Sequence, residues 1–390
     1  MAAPALGRRP RAGADPVRIG VVTSAYHPEV GGVETHVRRL CAALVATGDE
    51  VEVLTQHAVG SVETIDGVVV RRFPLTVSAA NYRFSVALWK WLRRNAGRYD
   101  VLHAHSYHAL AALPAALTNR TPLVFTPHYH GTGHSRLRAA LHPIYRPLGR
   151  RVLARSSRII CVTRAERELL IGHFPEARGR MVVVPNGTDP APDLVAGPEP
   201  GRSILCVGRL ERYKRVDRVI RAMTQLPADH RLDVVGAGPA AEEWEQLAAR
   251  LGLGPDRVVF HGRLPDGAFH ARMASAAAVV SASAHEAFGM AVADALTAGI
   301  PTVASFIPAH RELAAMTAPG APLWLVNPDD EVALADALQV AAATDRDEQG
   351  RNALPTWSDV VLATREIYTS VAPPVHVIQQ AKAGAGAGDR

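Results

Sequence analysis

Short apolar runs rich in β-branched residues recur along the chain, each followed by a stretch of helical periodicity, and this alternation constrains the fold more than any other feature of the 390 residues. The runs RIGVVTS (18–24), VEVLTQ (51–56), VLHAHS (101–106), PLVFTPH (122–128), RIICVT (158–163) and MVVVPN (181–186) have too few polar positions to show one face to water. Each reads as a strand covered on both faces, as in parallel sheets flanked by helices. Between the first two runs, VETHVRRLCAALVATG puts Val33, Val37, Leu40, Ala43 and Leu44 on one helical stripe, and Gly48 is placed to end it. After Asn186 comes GTDPAPDLVAGPEPG, which has Pro and Gly but no periodicity and so marks a linker. The alternation then restarts with SILCVGR (203–209), RLDVVGAG (231–238), RVVFHGRL (257–264), AAVVSAS (277–283), IPTVAS (300–305) and LWLVNP (323–328). Two doubly wound α/β domains follow. The expected divisions are a disordered leader at 1–16, a first domain at 17–188, a linker at 189–201, a second domain at 202–356, a helix at 357–371 packing back toward the first domain, and a disordered tail at 372–390.

Composition narrows the function. With 48% hydrophobic and 21% charged residues the chain is globular. Cys41, Cys161 and Cys206 are odd in number and far apart, which excludes a disulfide framework and a cysteine-based zinc site and predicts a reducing cytoplasm. The longest stretch without a charged residue, 101–119, carries His103, His105, His108 and Pro114 and cannot span a membrane. Residues 1–188 hold 25 Lys/Arg against 12 Asp/Glu, a charge of +13, and residues 189–390 hold 18 against 25, a charge of −7, which together return the net +6. Nine arginines and no acid fall within 101–165, so the first domain is expected to meet an anionic partner. Within it, RLRAALHPIYRPLGRRVLAR (136–155) is basic and amphipathic, which predicts an anionic or membrane-associated acceptor and peripheral contact with an anionic membrane.

Four places carry candidate chemistry. The loop AYHPEVGGVETH after the first strand sets Gly31 and Gly32 before a helix N-terminus, where backbone amides can approach an anion. In CVGRLERYKRVD, Arg209 ends a buried strand and Lys214 opens a helix, so two cations can meet at an inter-domain crevice. In SASAHEAFGMAVADALTAG, Glu286 follows a strand, Phe288-Gly289-Met290 turns into a helix, and Asp294 lies one turn inside it. The loop can aim amides at a phosphate, and the two carboxylates can accept hydrogen bonds from sugar and ribose hydroxyls. His103, His105, His128, His130 and His134 raise a metal reading, which the lack of any carboxylate in 101–165 disfavours.

At these segments the chain resembles glycosyltransferase family 4, retaining nucleotide-sugar enzymes of GT-B architecture, in which two Rossmann-like domains face an inter-domain crevice. The resemblance covers residues 17–371. Its most specific part is the E-x7-E signature, here Glu286 and Asp294, and GGVETHV, HAHS, TPHYH, VPNGTD, VGRLERYKRVD, VVGAGP and LVNPDD follow in family order. The resemblance implies that Arg209 and Lys214 bind the donor diphosphate, that His128 faces the donor sugar, and that Glu286 holds sugar hydroxyls. It sets Gly31 and Gly32 under the phosphate near the acceptor and Glu312 near the nucleotide. Gly236, Arg263, Leu264, Phe288, Gly289, Met290, Ala291 and Asp294 complete the implied donor site. Two departures stand out: Asp replaces the second Glu of the signature, and FIPAH replaces the glycine-rich run before Glu312.

The implied reaction moves a hexose-type sugar from a UDP- or GDP-sugar to a hydroxyl of a small molecule, glycan or lipid-linked acceptor, with no cofactor and no metal. Two readings from other classes compete. VVGAGPAA (234–241) matches G-x-G-x-x-A after a strand, with Asp256 spaced for a ribose contact, as in an NAD(P)-dependent oxidoreductase. The arginine-rich first half could serve a nucleic-acid-binding protein, but it lacks interleaved aromatics and any known helix or ribbon motif, so no nucleic acid is expected.

Overall fold

The computed structural model describes residues 15–29, 31–79, 82–107, 109–118, 120–131, 136–188, 202–346 and 354–372. The expected linker, nearly all of the leader and tail, and His108 and His134 lie outside them. In the first domain ten strands form: β1 Arg18–Val22, β2 Glu50–His57, β3 Ser61–Ile65, β4 Val68–Pro74, β5 Val77–Ala79, β6 Tyr82–Phe84, β7 Val101–His105, β8 Leu123–Thr126, β9 Arg158–Cys161 and β10 Met181–Val183. Eight of them build one sheet in the order β10-β9-β8-β7-β1-β2-β4-β3, parallel but for the edge strand β3, while β5 and β6 pair as a separate hairpin. The second domain has β11 Ser203–Val207, β12 Arg231–Val235, β13 Val258–Gly262, β14 Ala278–Ser281, β15 Thr302–Ser305 and β16 Leu323–Val326. These form an all-parallel sheet in the order β13-β12-β11-β14-β15-β16.

The apolar runs are strands because both faces are covered. Ile19, Val21, Val53, Val101 and Val124 are buried in a core shared with the helix Gly32–Ala46, and Val22, Leu54, Leu102 and Phe125 face a second cluster on the other side. Strand order reverses where β1 lies between β2 and β7, and again where β11 lies between β12 and β14. Loops leaving the carboxyl ends of such neighbours run to opposite faces and open a crevice between them, so each domain has one place built for a ligand. The two loops read from the sequence as glycine- or charge-bearing, after β1 and after β11, both leave from these points.

The helix Trp357–Val371 starts at a capping box in which the Thr356 hydroxyl accepts from the Asp359 amide and the Asp359 carboxylate accepts from the Thr356 amide. It follows the second domain in sequence but packs on the first: Trp357, Val360, Val361 and Tyr368 are buried among Ile19, Val37, Leu40 and Leu44. A Cβ on Gly187 would lie 2.6 Å from the Trp357 Cα, so the two segments crossing between domains touch backbone to backbone, and Thr188 N donates to Pro355 O at 2.9 Å. Cys41, Cys161 and Cys206 are free and buried, with burial pushing each thiol up from its ordinary pKa. Among the described residues no helix is long and apolar enough to cross a membrane.

Trp357→Ala should cost about 3–5 kcal/mol, the range for truncating a buried aromatic. The loss should appear in unfolding of the first domain, followed by the near-ultraviolet signal of its tyrosines under urea. A variant that unfolds at the wild-type midpoint would mean that this helix adds nothing to the first domain.

Candidate active site

On the second-domain wall, the chain leaving β11 extends as Gly208–Leu210 beside the loop after β12. Gly208 N donates to Val235 O at 3.0 Å and Leu210 N to Ala237 O at 3.0 Å. A Cβ on Gly236 would lie 1.9 Å from Gly208 O, and one on Gly238 would lie 2.4 Å from Leu210 O. The glycines of VVGAGP are therefore occupied by the protein's own backbone, where a dinucleotide-binding loop would use them to approach a pyrophosphate. Asp256 precedes β13 and so sits at the amino edge of the sheet, away from the loops that would hold a cofactor. The oxidoreductase reading loses both of its features.

Lys214 does not open the helix directly: it ends a single 3-10 turn, Arg212–Lys214, and Arg215 turns through φ 50° before the helix Val216–Ala222 begins. This turn swings the lysine across the end of β11 toward the loop after β14, where its Nζ donates to Glu286 Oε1 at 2.6 Å. Ser283 Oγ donates to the same oxygen at 2.7 Å. Burial works against charge on both partners. It raises and Lys214 lowers the Glu286 carboxyl, whose pKa ends below the ordinary carboxylate range; it lowers and Glu286 raises the Lys214 ammonium, which ends above the ordinary lysine value. Gly289 caps the next helix, Met290–Thr297, with φ 97°, and its missing side chain leaves room for the His310 ring, which a Cβ would meet at 3.0 Å. Arg209 stands 40% exposed with Glu211 3.8 Å away, a cation facing the crevice.

Across the crevice, the loop after β1 ends at Gly31, the N-cap of the helix Gly32–Ala46. Its backbone is extended, and a Cβ would lie 2.3 Å from Glu34 Oε2 and 2.8 Å from Arg209 Nη2, the ends of two flexible side chains that can move aside. Gly31 is thus a point where the first domain meets Arg209 of the second. Gly32 has open space around it, with no atom within 4 Å of where a Cβ would stand, and is not part of that approach.

His128 follows β8 in a left-handed conformation, φ 49°, with its Nε2 3.3 Å from His105 Nδ1 at the end of β7. His36, from the first turns of the helix Gly32–Ala46, completes a buried group whose ligand atoms lie within 4.8 Å of one another. Sequence reasoning misses His36, because helical periodicity marks it only as an inward position, whereas HAHS and TPHYH stand out as strand-end motifs. Burial pushes His36 down to about 4 and holds His105 and His128 well below the usual imidazole range, so all three are neutral at physiological pH. By donor type they could take a borderline transition metal. Metal-bound imidazoles, however, pass their second N–H to a carboxylate, carbonyl or water. Asn186 favours charge on His36 slightly, but neither nitrogen of His36 nor Nε2 of His105 makes a well-formed hydrogen bond, so the supporting partners of a metal centre are missing among the described residues. A second ring group spans the crevice, with His285 stacked on Tyr213 at 4.7 Å and on His130 at 5.2 Å.

The remaining expected residues divide. Asp294 Oδ1 accepts from Arg39 Nη1 of the first domain at 3.1 Å. Glu312 accepts from Arg164 N at 2.7 Å and Ala165 N at 3.1 Å, capping the helix Arg164–His173 of the first domain, so in this state the nucleotide position implied by the resemblance is replaced by a cross-domain cap. Met290 Sδ lies 3.0 Å from Asn186 Nδ2, also across the boundary, and Ala291 is half-buried beside it. Phe288 is packed among Val162, Val292 and Leu313 and can offer a ligand only its backbone. Arg263 and Leu264 follow β13, on the far side of β12 from β11; Arg263 is exposed, and Leu264 packs near Leu205 and Met273. No described contact brings these two to the Lys214–Glu286 pair. In the basic helix Arg136–Arg155, Arg146 donates to His173 O at 3.1 Å, Arg150 pairs with Glu176 at 2.8 Å, and Arg155 donates to Thr118 O at 3.1 Å, so three of its six arginines serve the domain itself. The side chains of 136–145 lie outside the described residues.

Residues 30–192 match the family described as Glycosyltransferase Family 4, and residues 201–343 match Glycosyl transferases group 1. The chain is 30% identical over 345 residues to a phosphatidyl-myo-inositol mannosyltransferase of Mycolicibacterium smegmatis, covering 83% of this chain and 84% of the relative. It is 28% identical over 393 residues to a D-inositol 3-phosphate glycosyltransferase of Xylanimonas cellulosilytica, covering 87% and 92%. In fold it is similar to a sucrose-phosphate synthase from Thermosynechococcus elongatus, with TM-score 0.70 and 23% identity over 90% of this chain and 98% of that one. That likeness shows the GT-B architecture.

The Lys214–Glu286 pair has a definite acid signature. A carboxyl with a depressed folded value contributes stability above its unfolded value, about 4.3, and loses it as pH falls through the folded value. In Lys214→Met, burial acts on Glu286 without an opposing ammonium and raises its pKa, so the variant's deficit relative to wild type should shrink on acidification from pH 7 to pH 4. Urea unfolding across that range checks this; parallel stability curves would mean that the pair is not coupled in the folded protein.

Proposed function

The chain belongs to the glycosyltransferases that join a family 4 domain to a group 1 domain, and on that premise we propose that it transfers a hexose-type sugar, with retention, from a UDP- or GDP-sugar to an acceptor hydroxyl. The observation that carries this reading is the half-buried Lys214–Glu286 pair beside Arg209, at the end of β11 and facing Gly31 across the crevice. Transfer from a nucleotide sugar must break the bond between the anomeric carbon and a phosphate oxygen, and the largest demand is to stabilise charge on the departing diphosphate. Arg209 and Lys214 meet that demand as fixed cations, so the chemistry needs no metal from this wall. Glu286, held ionised by Lys214, is placed to accept hydrogen bonds from sugar hydroxyls while the lysine turns to the phosphate.

Neutral His128 supports a contact with the donor sugar, since a neutral ring can both accept from and donate to hydroxyls. A glycosidase-like double displacement would require two carboxylates about 5 Å apart around one sugar carbon, and the proposed mechanism assigns none to that task. Attack on the front face, with the departing phosphate oxygen taking the acceptor proton, then keeps the anomeric configuration. Asp294 is assigned to the ribose: one methylene shorter than Glu, it reaches by about 1.5 Å less, and a bridging water fills that distance at little enthalpic cost. Donor binding there exchanges the Arg39 contact for ribose hydroxyls.

UDP or GDP should raise the melting temperature, and Lys214→Ala should lower transfer about 100-fold or more, as loss of a fixed transition-state cation does. Activity within about threefold of wild type, under about 1 kcal/mol, would put Lys214 outside the reaction. Asp294→Ala should raise donor KM and leave kcat near wild type; an unchanged KM would remove Asp294 from the nucleotide site. The anomeric coupling of the product by NMR tests retention, and an α-linked donor giving β product would refute it.

A further inference from the structure

Four arginines around the loop after β1 and the helix that follows it are committed. Arg83 reaches both oxygens of Glu29, at 2.8 and 2.9 Å. Arg72 pairs with Glu63 at 2.7 Å and also donates to His27 O. Arg38 bonds Asp66 at 2.7 Å and Asp266 at 3.0 Å, and Arg39 holds Asp294. Against these, Glu34 stands in the first turn of the helix after Gly31 with no ion-pair partner among the described residues, and its Oε2 and Arg209 Nη2 both lie close to where a Gly31 side chain would begin. Burial pushes its carboxyl up from the ordinary range, while its own backbone N–H and Arg209 work to bring it down.

A reacting hydroxyl must come within about 3–3.5 Å of the anomeric carbon. With the diphosphate on Arg209, the path to that carbon from the first domain passes Gly31 and Glu34. A diphosphate on Arg209 offsets the favourable field of that cation at Glu34 and sets a second negative charge beside it. Beyond its own backbone N–H the carboxylate then needs hydrogen-bond donors, and a third anion there meets only repulsion.

We propose that Glu34 selects the acceptor: its carboxylate accepts hydrogen bonds from hydroxyls next to the reacting one, so the reacting end of the acceptor is a neutral polyol ring and carries no phosphate or carboxylate at that position. This rests on the transferase reading above. Glu34 is not the proton sink: the C–O bond to phosphate breaks, the C–O bond to the acceptor forms, and the acceptor proton leaves on the departing phosphate oxygen.

The test uses the full chain with whichever of UDP- or GDP-hexose it cleaves, and compares the change in initial donor-cleavage rate caused by myo-inositol and methyl α-mannoside with that caused by myo-inositol 1-phosphate and mannose 6-phosphate. The neutral probes should act at least tenfold more strongly than the phosphorylated ones, and Glu34→Gln should narrow that gap about tenfold while keeping the nucleotide-induced melting shift. Glu34→Ala should behave likewise, which guards against a folding defect in one variant. Phosphorylated probes equal to or better than neutral ones, a gap unchanged in both variants, or no response to any probe would overturn the assignment. An absent nucleotide shift together with absent donor cleavage would refute the transferase reading itself and this proposal with it, whereas a normal nucleotide shift with the wrong probe ratio refutes only the role of Glu34.

Discussion

A lysine and a carboxylate withdrawn from water stay charged only if they meet, and the arrangement of the second domain is what lets Lys214 and Glu286 do so. Burial works against charge on either group; together each favours the other's ionised form, and Ser283 takes part of the carboxylate's remaining hydrogen-bond capacity. Such a pair is weak evidence for stability, because its desolvation offsets much of the attraction. It is better understood as a stored charge arrangement. An anion arriving beside Arg209 finds a desolvated ammonium already in place, and a hydroxyl-rich ligand finds a carboxylate that cannot be protonated at neutral pH.

Everything around the pair serves its placement. The 3-10 turn at Arg212–Lys214 and the left-handed Arg215 aim the lysine, and Gly236 and Gly238 allow the loop after β12 to lie directly on Gly208–Leu210. Gly289 leaves room for His310, which adds to the field at Glu286. On the opposite wall, the ends of Glu34 and Arg209 occupy the space beside Gly31. The glycines of this site are set by packing between backbone segments and across the domain boundary more than by direct approach to a phosphate.

The domains also hold one another through the carboxylates that the family resemblance assigns to the nucleotide. Asp294 is on Arg39, Glu312 caps the helix Arg164–His173, and Thr163 Oγ1 donates to Ala287 O at 3.0 Å. Under the proposed donor site, ligand binding and domain contact draw on the same groups, and the free energy of one changes the other. The helix Trp357–Val371, buried on the first domain by Trp357 and Tyr368, keeps the two halves joined while these contacts exchange, and its Tyr368 hydroxyl lies 2.7 Å from His103 Nδ1, behind His105 and His128.

The two parallel-sheet domains are legible in the amino-acid sequence alone, because a strand covered on both faces must be apolar at nearly every position, and that pattern survives in one dimension. Arg209, Lys214, Glu286 and Asp294 are legible too, since their charges stand out at the ends of such runs. The strands β3 and β4 and the β5–β6 hairpin are not: VVVRRFP exposes Val69 and carries two arginines, one of them buried, and SVETI is an exposed edge, so neither has the apolar run of a strand covered on both faces. The glycines of VVGAGP resemble a ligand loop in sequence because space around a glycine is a property of what packs against it, here Gly208 and Leu210. His36 joining His105 and His128, Arg39 on Asp294, and Glu34 meeting Arg209 beside Gly31 arise from the folded arrangement. Each depends on which groups from distant segments share one buried volume, and hydrogen bonding, charge and desolvation act over a few ångströms of space with no regard to separation along the chain.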